Sequence, residues 1–140
     1  MKYTILAITL ICSTGFIACG QRPQQKLNNQ TTKTVDTSKL TNQTVKAAFD
    51  AWQKGDSKTF ISFFTADAKL YDDGSPRNFQ AFVKEACGHE KFTTIDKVEN
   101  EGKDIFGNFH TEKWGDFRTY FKFHFDAAGK VDRLDIGQAN

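Results

Sequence analysis

The alternation at residues 117–125 constrains this chain more than any other feature. Phe117, Thr119, Phe121, Phe123 and Phe125 alternate with Arg118, Tyr120, Lys122 and His124. Successive strand side chains point to opposite faces, so this segment is a strand with four rings on one face. The other face is charged or amphipathic. Ala127, Ala128 and Gly129 then make a tight turn, and Val131, Leu134 and Ile136 mark a second strand. The pair reads as an antiparallel hairpin with one buried face. What covers that face decides the fold.

Upstream the apolar spacing becomes helical. Thr44 is a candidate cap for a helix carrying Val45, Ala48, Phe49 and Trp52, and Gly55 ends it at the C-cap position. A second short helix starts at Asp56 or Ser57 and turns Phe60, Ile61, Phe63 and Phe64 to one side. Thr65, Ala66, Asp67 and Ala68 are expected to turn the chain into a short strand of Lys69, Leu70, Tyr71 and Asp72. Asp73, Gly74, Ser75 and Pro76 are expected to form a loop. A third helix over 77–87 presents Phe79, Phe82, Val83 and Ala86. Strands follow at about 91–99, 104–112, 116–125 and 130–138. Strands gathered after helices predict an α+β domain, with helices on one face of an antiparallel sheet.

The N-terminal 1–18 segment has the pattern of a signal peptide: Lys2, an apolar run at 5–11, then small residues. Its apolar run is too short for a permanent membrane span. Phe16-Ile17-Ala18-Cys19-Gly20 resembles a bacterial lipobox, with Phe16 where that pattern prefers Leu. The resemblance implies cleavage before Cys19 and acylation of its thiol, with enough acyl chains for stable anchoring. Gly20 after the cysteine implies the periplasmic face of the outer membrane in a two-membrane bacterium. Cys12 would leave with the signal peptide and Cys87 would stand alone, so no intramolecular disulfide is expected in the mature domain. Residues 19–43 are rich in Gln, Asn, Thr and Lys and read as a flexible tether, with the alternative that the chain folds against the domain from Val35 onward. The folded domain is expected over 44–140.

The order of elements resembles the nuclear transport factor 2-like superfamily, which includes SnoaL-like polyketide cyclases and ketosteroid isomerases. The resemblance rests on FDAWQKGD at 49–56, FTADAKLYDDG at 64–74 and FDAAGKV at 125–131. It implies a cone-shaped curved antiparallel sheet wrapped around three N-terminal helices, with a pocket at the open end. In the isomerases an Asp base works with a Tyr and a protonated Asp as oxyanion donors. Local spacing puts Asp72 at the base position. The two donor positions fall on Ala48 and Phe121, neither of which can donate a side-chain hydrogen bond. Steroid-isomerase chemistry is therefore not expected. Asp72 remains a candidate general base in a cyclase, isomerase or dehydratase, with simple turn chemistry as the alternative.

Fourteen Phe, all but Phe16 between Phe49 and Phe125, can build a core or line an apolar cavity. The expected ligand-binding set is Trp52, Tyr71, Phe117, Phe121 and Phe123, with core packing as the alternative for Trp52. Trp114 lies in a turn and is either a ligand or partner contact or a ring folded over the sheet. Cys87 at a helix C-terminus reads as a small buried hydrophobe, since the helix dipole there disfavours a thiolate. His89, His110 and His124 have no ligand-pair spacing within one element, apart from a His110/Glu112 same-face pair, and no metal or other cofactor is expected. The net charge of +2 is too balanced for nucleic-acid binding. Three functions remain: an anchored module binding a small apolar ligand, an enzyme using Asp72, or a homodimeric domain with a filled pocket. The dimer would use the outer sheet face of Arg118, Tyr120, Lys122 and His124.

Overall fold

The computed structural model describes residues 34–140. The expected signal peptide, Cys19 and the first part of the tether lie outside the described residues. The chain already packs on the domain before its first helix. Val35 lies against the core and Leu40 is buried within it. Lys39 Nζ donates to the carbonyls of Ile95 and Asp96 at 3.3 and 2.8 Å. Of the two readings of residues 35–43, docking against the domain is the one observed.

Three helices come first. Helix α1 (Gln43–Lys54) is capped by Asn42, whose side chain accepts from Val45 N, and it ends at Gly55 in the left-handed region. The cap is thus two residues earlier than the expected Thr44. Helix α2 (Ser57–Ser62) starts from Asp56, whose carboxylate accepts from Thr59 N. Helix α3 (Phe79–Ala86) is capped by Asn78 and starts later than expected, because the residues just before it belong to the sheet.

The sheet contains β1 (Phe64–Asp72), β2 (Ser75–Arg77), β3 (Lys91–Phe92), β4 (Lys97–Glu99), β5 (Asp104–Thr111), β6 (Gly115–Phe125) and β7 (Val131–Gln138). Its order is β2-β1-β7-β6-β5-β3, with β4 also on β5. The β1–β7 pair is parallel and the others are antiparallel. The result is the expected α+β class: helices packed on one face of a curved, unclosed, mostly antiparallel sheet.

Three local differences have physical causes. The expected turn at 65–68 is strand in β1, but β1–β7 pairing jumps from Phe64↔Val131 to Lys69↔Arg133, so these residues bulge away from the ladder. The expected strand 91–99 is split into β3 and β4. Between them Thr94 crosses Gly107 of β5, where a Cβ would collide with the Thr94 carbonyl. The expected loop 73–76 is a two-residue hairpin: Asp73 (φ 46°) and Gly74 (φ 81°) are both left-handed, and Asp72 pairs with Ser75. Asp-Gly suits such a type I′ turn because both central residues need positive φ.

The hairpin of β6 and β7 has the expected two faces. Thr119, Phe121 and Phe123 are buried, as are Val131, Leu134 and Ile136. The three-residue step from Val131 to Leu134 breaks strict alternation, and a bulge at Asp132 absorbs it: Phe125 pairs with Val131 but His124 with Arg133. Trp52 of α1 sits on this inner face, 5.4 Å from the Phe121 ring and 5.1 Å from Phe60 of α2.

Candidate functional site

The Asp73-Gly74 turn sets the first part of the site. Arg77 stands two residues beyond Ser75, the cross-strand partner of Asp72, so Arg77 and Asp72 share a face of the hairpin. Arg77 Nη1 donates to Asp72 Oδ2 at 2.9 Å, and Nη2 lies 3.5 Å from Glu85 Oε2 on α3. The guanidinium also lies over the Phe82 ring, 4.8 Å from its centroid.

Next to this pair the inner face of the sheet opens into a cavity of about 420 Å³. That volume falls in the range of small-molecule sites. Phe82 of α3, Phe109 of β5, Phe117 and Phe121 of β6 and Ile136 of β7 supply apolar wall. Thr111 and Thr119 stand on the same alternating face as these rings, and their smaller side chains leave room there. Both hydroxyls are engaged: Thr119 Oγ1 donates to the Gly137 carbonyl at 2.7 Å, and Thr111 Oγ1 accepts from Trp114 N at 2.8 Å. Polar lining comes from Asp72, Asp73, Arg77, Glu90 and Gln138. Trp114, 69% exposed in the β5–β6 turn, also borders the cavity. A second hollow of about 400 Å³ shares Arg77, Glu90 and Trp114 with the first.

Glu90 lies in the turn between α3 and β3, its backbone N–H bonded to the Ala86 carbonyl. Its half-buried carboxyl has its pKa pushed up by burial. Asp72 and Glu85 act in the same direction, and Arg77 and His89 oppose it. Asp73 is held differently: its Oδ1 accepts from Gln138 N at 2.9 Å, and its carboxylate lies against Gly137, where a side chain would collide with it.

Of the expected site residues, the fold brings Asp72, Phe117 and Phe121 to the cavity and leaves three elsewhere. Trp52 is buried behind the wall, stacked 5.4 Å from Phe82, so it supports the lining without facing the cavity. Phe123 is buried deeper along β6, where its ring approaches Phe64 at 6.2 Å. Tyr71 alternates to the outer face, under the Arg133 guanidinium at 4.5 Å and opposite Asp135. Arg77, Glu90 and Thr119 were not anticipated from sequence. Arg77 was legible in principle, through the Asp-Gly turn, whereas nothing local marks Glu90.

The remaining candidates have structural partners. Cys87 is buried, its Sγ 3.9 Å from the Trp52 carbonyl, and burial raises its pKa, which suits a packed thiol rather than a nucleophile. His110 pairs with Asp116 at 2.6 Å across β5 and β6, and His124 with Asp135 at 2.9 Å on the outer face. No group of three or more His, Cys, Asp or Glu among the described residues could hold a metal ion. The two donor positions inferred from the isomerases hold Ala48, buried in α1, and Phe121, in the cavity wall.

No protein-family model matches the sequence, and no curated protein matches it either. Solved structures do match. An NTF2-like protein of unknown function from Cytophaga hutchinsonii aligns with a TM-score of 0.56 at 11% identity, over 69% of this chain and 87% of its own. A cystatin-fold protein from Novosphingobium aromaticivorans aligns at 0.51 and 17% identity, over 66% of this chain and 93% of its own. The Anabaena orange carotenoid protein, in a structure binding canthaxanthin, aligns at 0.57 and 17% identity, over 77% of this chain but 40% of its own. Identities this low carry the fold alone, and that fold is the nuclear transport factor 2-like, cystatin-like α+β fold.

Proposed function

We propose that this protein is a lipid-anchored envelope protein whose domain binds a small, mostly apolar ligand in the cavity beside Phe117 and Phe121. The observation that carries the reading is the cavity itself: about 420 Å³, walled by rings and edged by a few polar groups. Concave apolar sites with a few convergent polar groups are the usual form of small-molecule sites. The orange carotenoid protein, a fold neighbour, binds canthaxanthin, which lends the reading support by analogy of fold. The anchor rests on Cys19 and the segment before it, and Gly20 after the cysteine supports the periplasmic face of the outer membrane as its address. A general-base role for Asp72 is disfavoured by its ion pair with Arg77 at 2.9 Å, which already occupies Oδ2.

Two experiments test the two halves. Native mass spectrometry of the purified protein should show a bound small molecule, and the emptied protein should bind the neutral probe N-phenyl-1-naphthylamine saturably. The same spectra report any dimer. An empty protein that does not bind the probe refutes the cavity reading. For the anchor, Cys19→Ala should move the protein from the membrane to the soluble fraction, and an unchanged membrane pool refutes it.

A further inference from the structure

The cavity has a charge preference as well as a shape. The described residues lining it include three carboxylates, Asp72, Asp73 and Glu90, and one cation, Arg77. Arg77 is already committed to Asp72 and Glu85 and lies on the Phe82 ring. Asp73 is held by the Gln138 backbone. Glu90 differs from both. Its carboxylate makes no hydrogen bond or salt bridge among the described residues, and it borders both hollows.

A ligand with an anionic end would find no uncommitted cation among these lining residues and would meet Glu90 as a like charge. A ligand with a cationic end meets the opposite situation. Glu90 can accept its hydrogen bonds, and Phe109 and Phe117 line the same cavity with aromatic rings, which attract cations. Burial already disfavours the charged form of Glu90, and a cation bound against it relieves that cost. An unpaired charge that penalises one ligand class is a recognised source of specificity.

We propose that the cavity selects ligands combining an apolar body with a protonated amine, with Glu90 as the group that receives the amine, and that it discriminates against carboxylates. This rests on the ligand-binding reading above and adds the chemical class.

Three matched probes test it on the full-length protein by calorimetry at neutral pH: 2-(2-naphthyl)ethylamine, 2-(2-naphthyl)ethanol and 2-naphthylacetic acid. The amine should bind about tenfold to a hundredfold more tightly than the alcohol, the range for a hydrogen bond to a charged group. The acid should bind more weakly than the alcohol. In Glu90→Gln the preference for the amine over the alcohol should disappear while alcohol binding persists. Alcohol binding with no amine preference, or an acid that binds as well as the amine, overturns the inference and leaves the cavity reading standing. An amine preference that survives Glu90→Gln overturns the role of Glu90. If none of the three binds, the cavity reading itself falls and takes this inference with it. The wild-type comparison does not depend on the variant folding.

Discussion

Replacing Trp52 separates the core from the site, because the ring is buried and stands behind the cavity wall without facing the cavity. It packs on Phe60, Phe82 and Phe121 with centroid distances of 5.1, 5.4 and 5.4 Å. Trp52→Ala removes all three contacts at a site closed on every side by other side chains. Such truncations cost about 3–5 kcal/mol, a large share of the roughly 5–15 kcal/mol that holds a domain together. For a domain of this size the melting temperature should fall by about 15 °C or more. Trp52→Phe should be far milder, within about 1.5 kcal/mol. The indole Nε1 is buried with no hydrogen-bond partner among the described residues, and an orphan donor costs about 1–3 kcal/mol, which Phe recovers while losing some volume. Urea unfolding followed by circular dichroism should show the midpoint moving with an unchanged slope. Trp52→Phe also leaves Trp114 as the single tryptophan, exposed beside the cavity. Its fluorescence should still respond to N-phenyl-1-naphthylamine, with affinity within about twofold of wild type, since a residue outside the lining makes no ligand contact to lose. A loss below about 1 kcal/mol in Trp52→Ala would refute the packing argument. A tenfold loss of affinity in a stable Trp52→Phe would place this ring in the site after all.

Gly74 and Gly88 both have positive φ, but a Cβ on Gly74 meets open space while one on Gly88 comes within 2.7 Å of Gly55 Cα. Gly74→Ala should cost about 1–2 kcal/mol for the backbone alone, and Gly88→Ala clearly more; equal losses in urea unfolding would refute the close glycine contact. Asp135 receives hydrogen bonds from Arg133 at 2.6 and 2.8 Å and pairs with His124 at 2.9 Å. Burial pushes its pKa up, but these partners outweigh burial and hold it below the ordinary value of 3.8. Its stabilisation is therefore present above the unfolded carboxylate's pKa and fades as pH falls through the depressed one. The stability difference between wild type and Asp135→Asn should shrink on acidification in that window, and a constant difference in pH-dependent melts would contradict it.

The parts of this protein legible in its sequence are those written in short-range patterns. The alternation from Phe117 to Phe125 identified the inner and outer faces of β6, because strand geometry depends only on neighbouring residues. Gly55 marked a helix end for the same kind of reason: its left-handed conformation suits glycine locally. The Asp-Gly turn carried more information than a loop assignment allows. Read as a type I′ hairpin, it pairs Asp72 with Ser75 and brings Arg77 onto the same face. Phe121 and Phe123 show the limit of periodicity. They share a face, yet Phe121 lines the cavity and Phe123 lies sealed in the core.

The sequence by itself determined the class of fold, the C-terminal end of α1 at Gly55 and the two faces of the final hairpin. It also placed non-donor residues, Ala48 and Phe121, at the positions inferred for the isomerase donors. The tertiary structure alone decided where along the inner face space remains, and which charges meet there. Glu90 reaches the cavity through the turn between α3 and β3, while Arg77 arrives on β2 and Trp114 on the β5–β6 turn. Facing is set by backbone geometry between adjacent residues. Depth and charge environment depend on which distant elements pack over a position, and no local pattern records that.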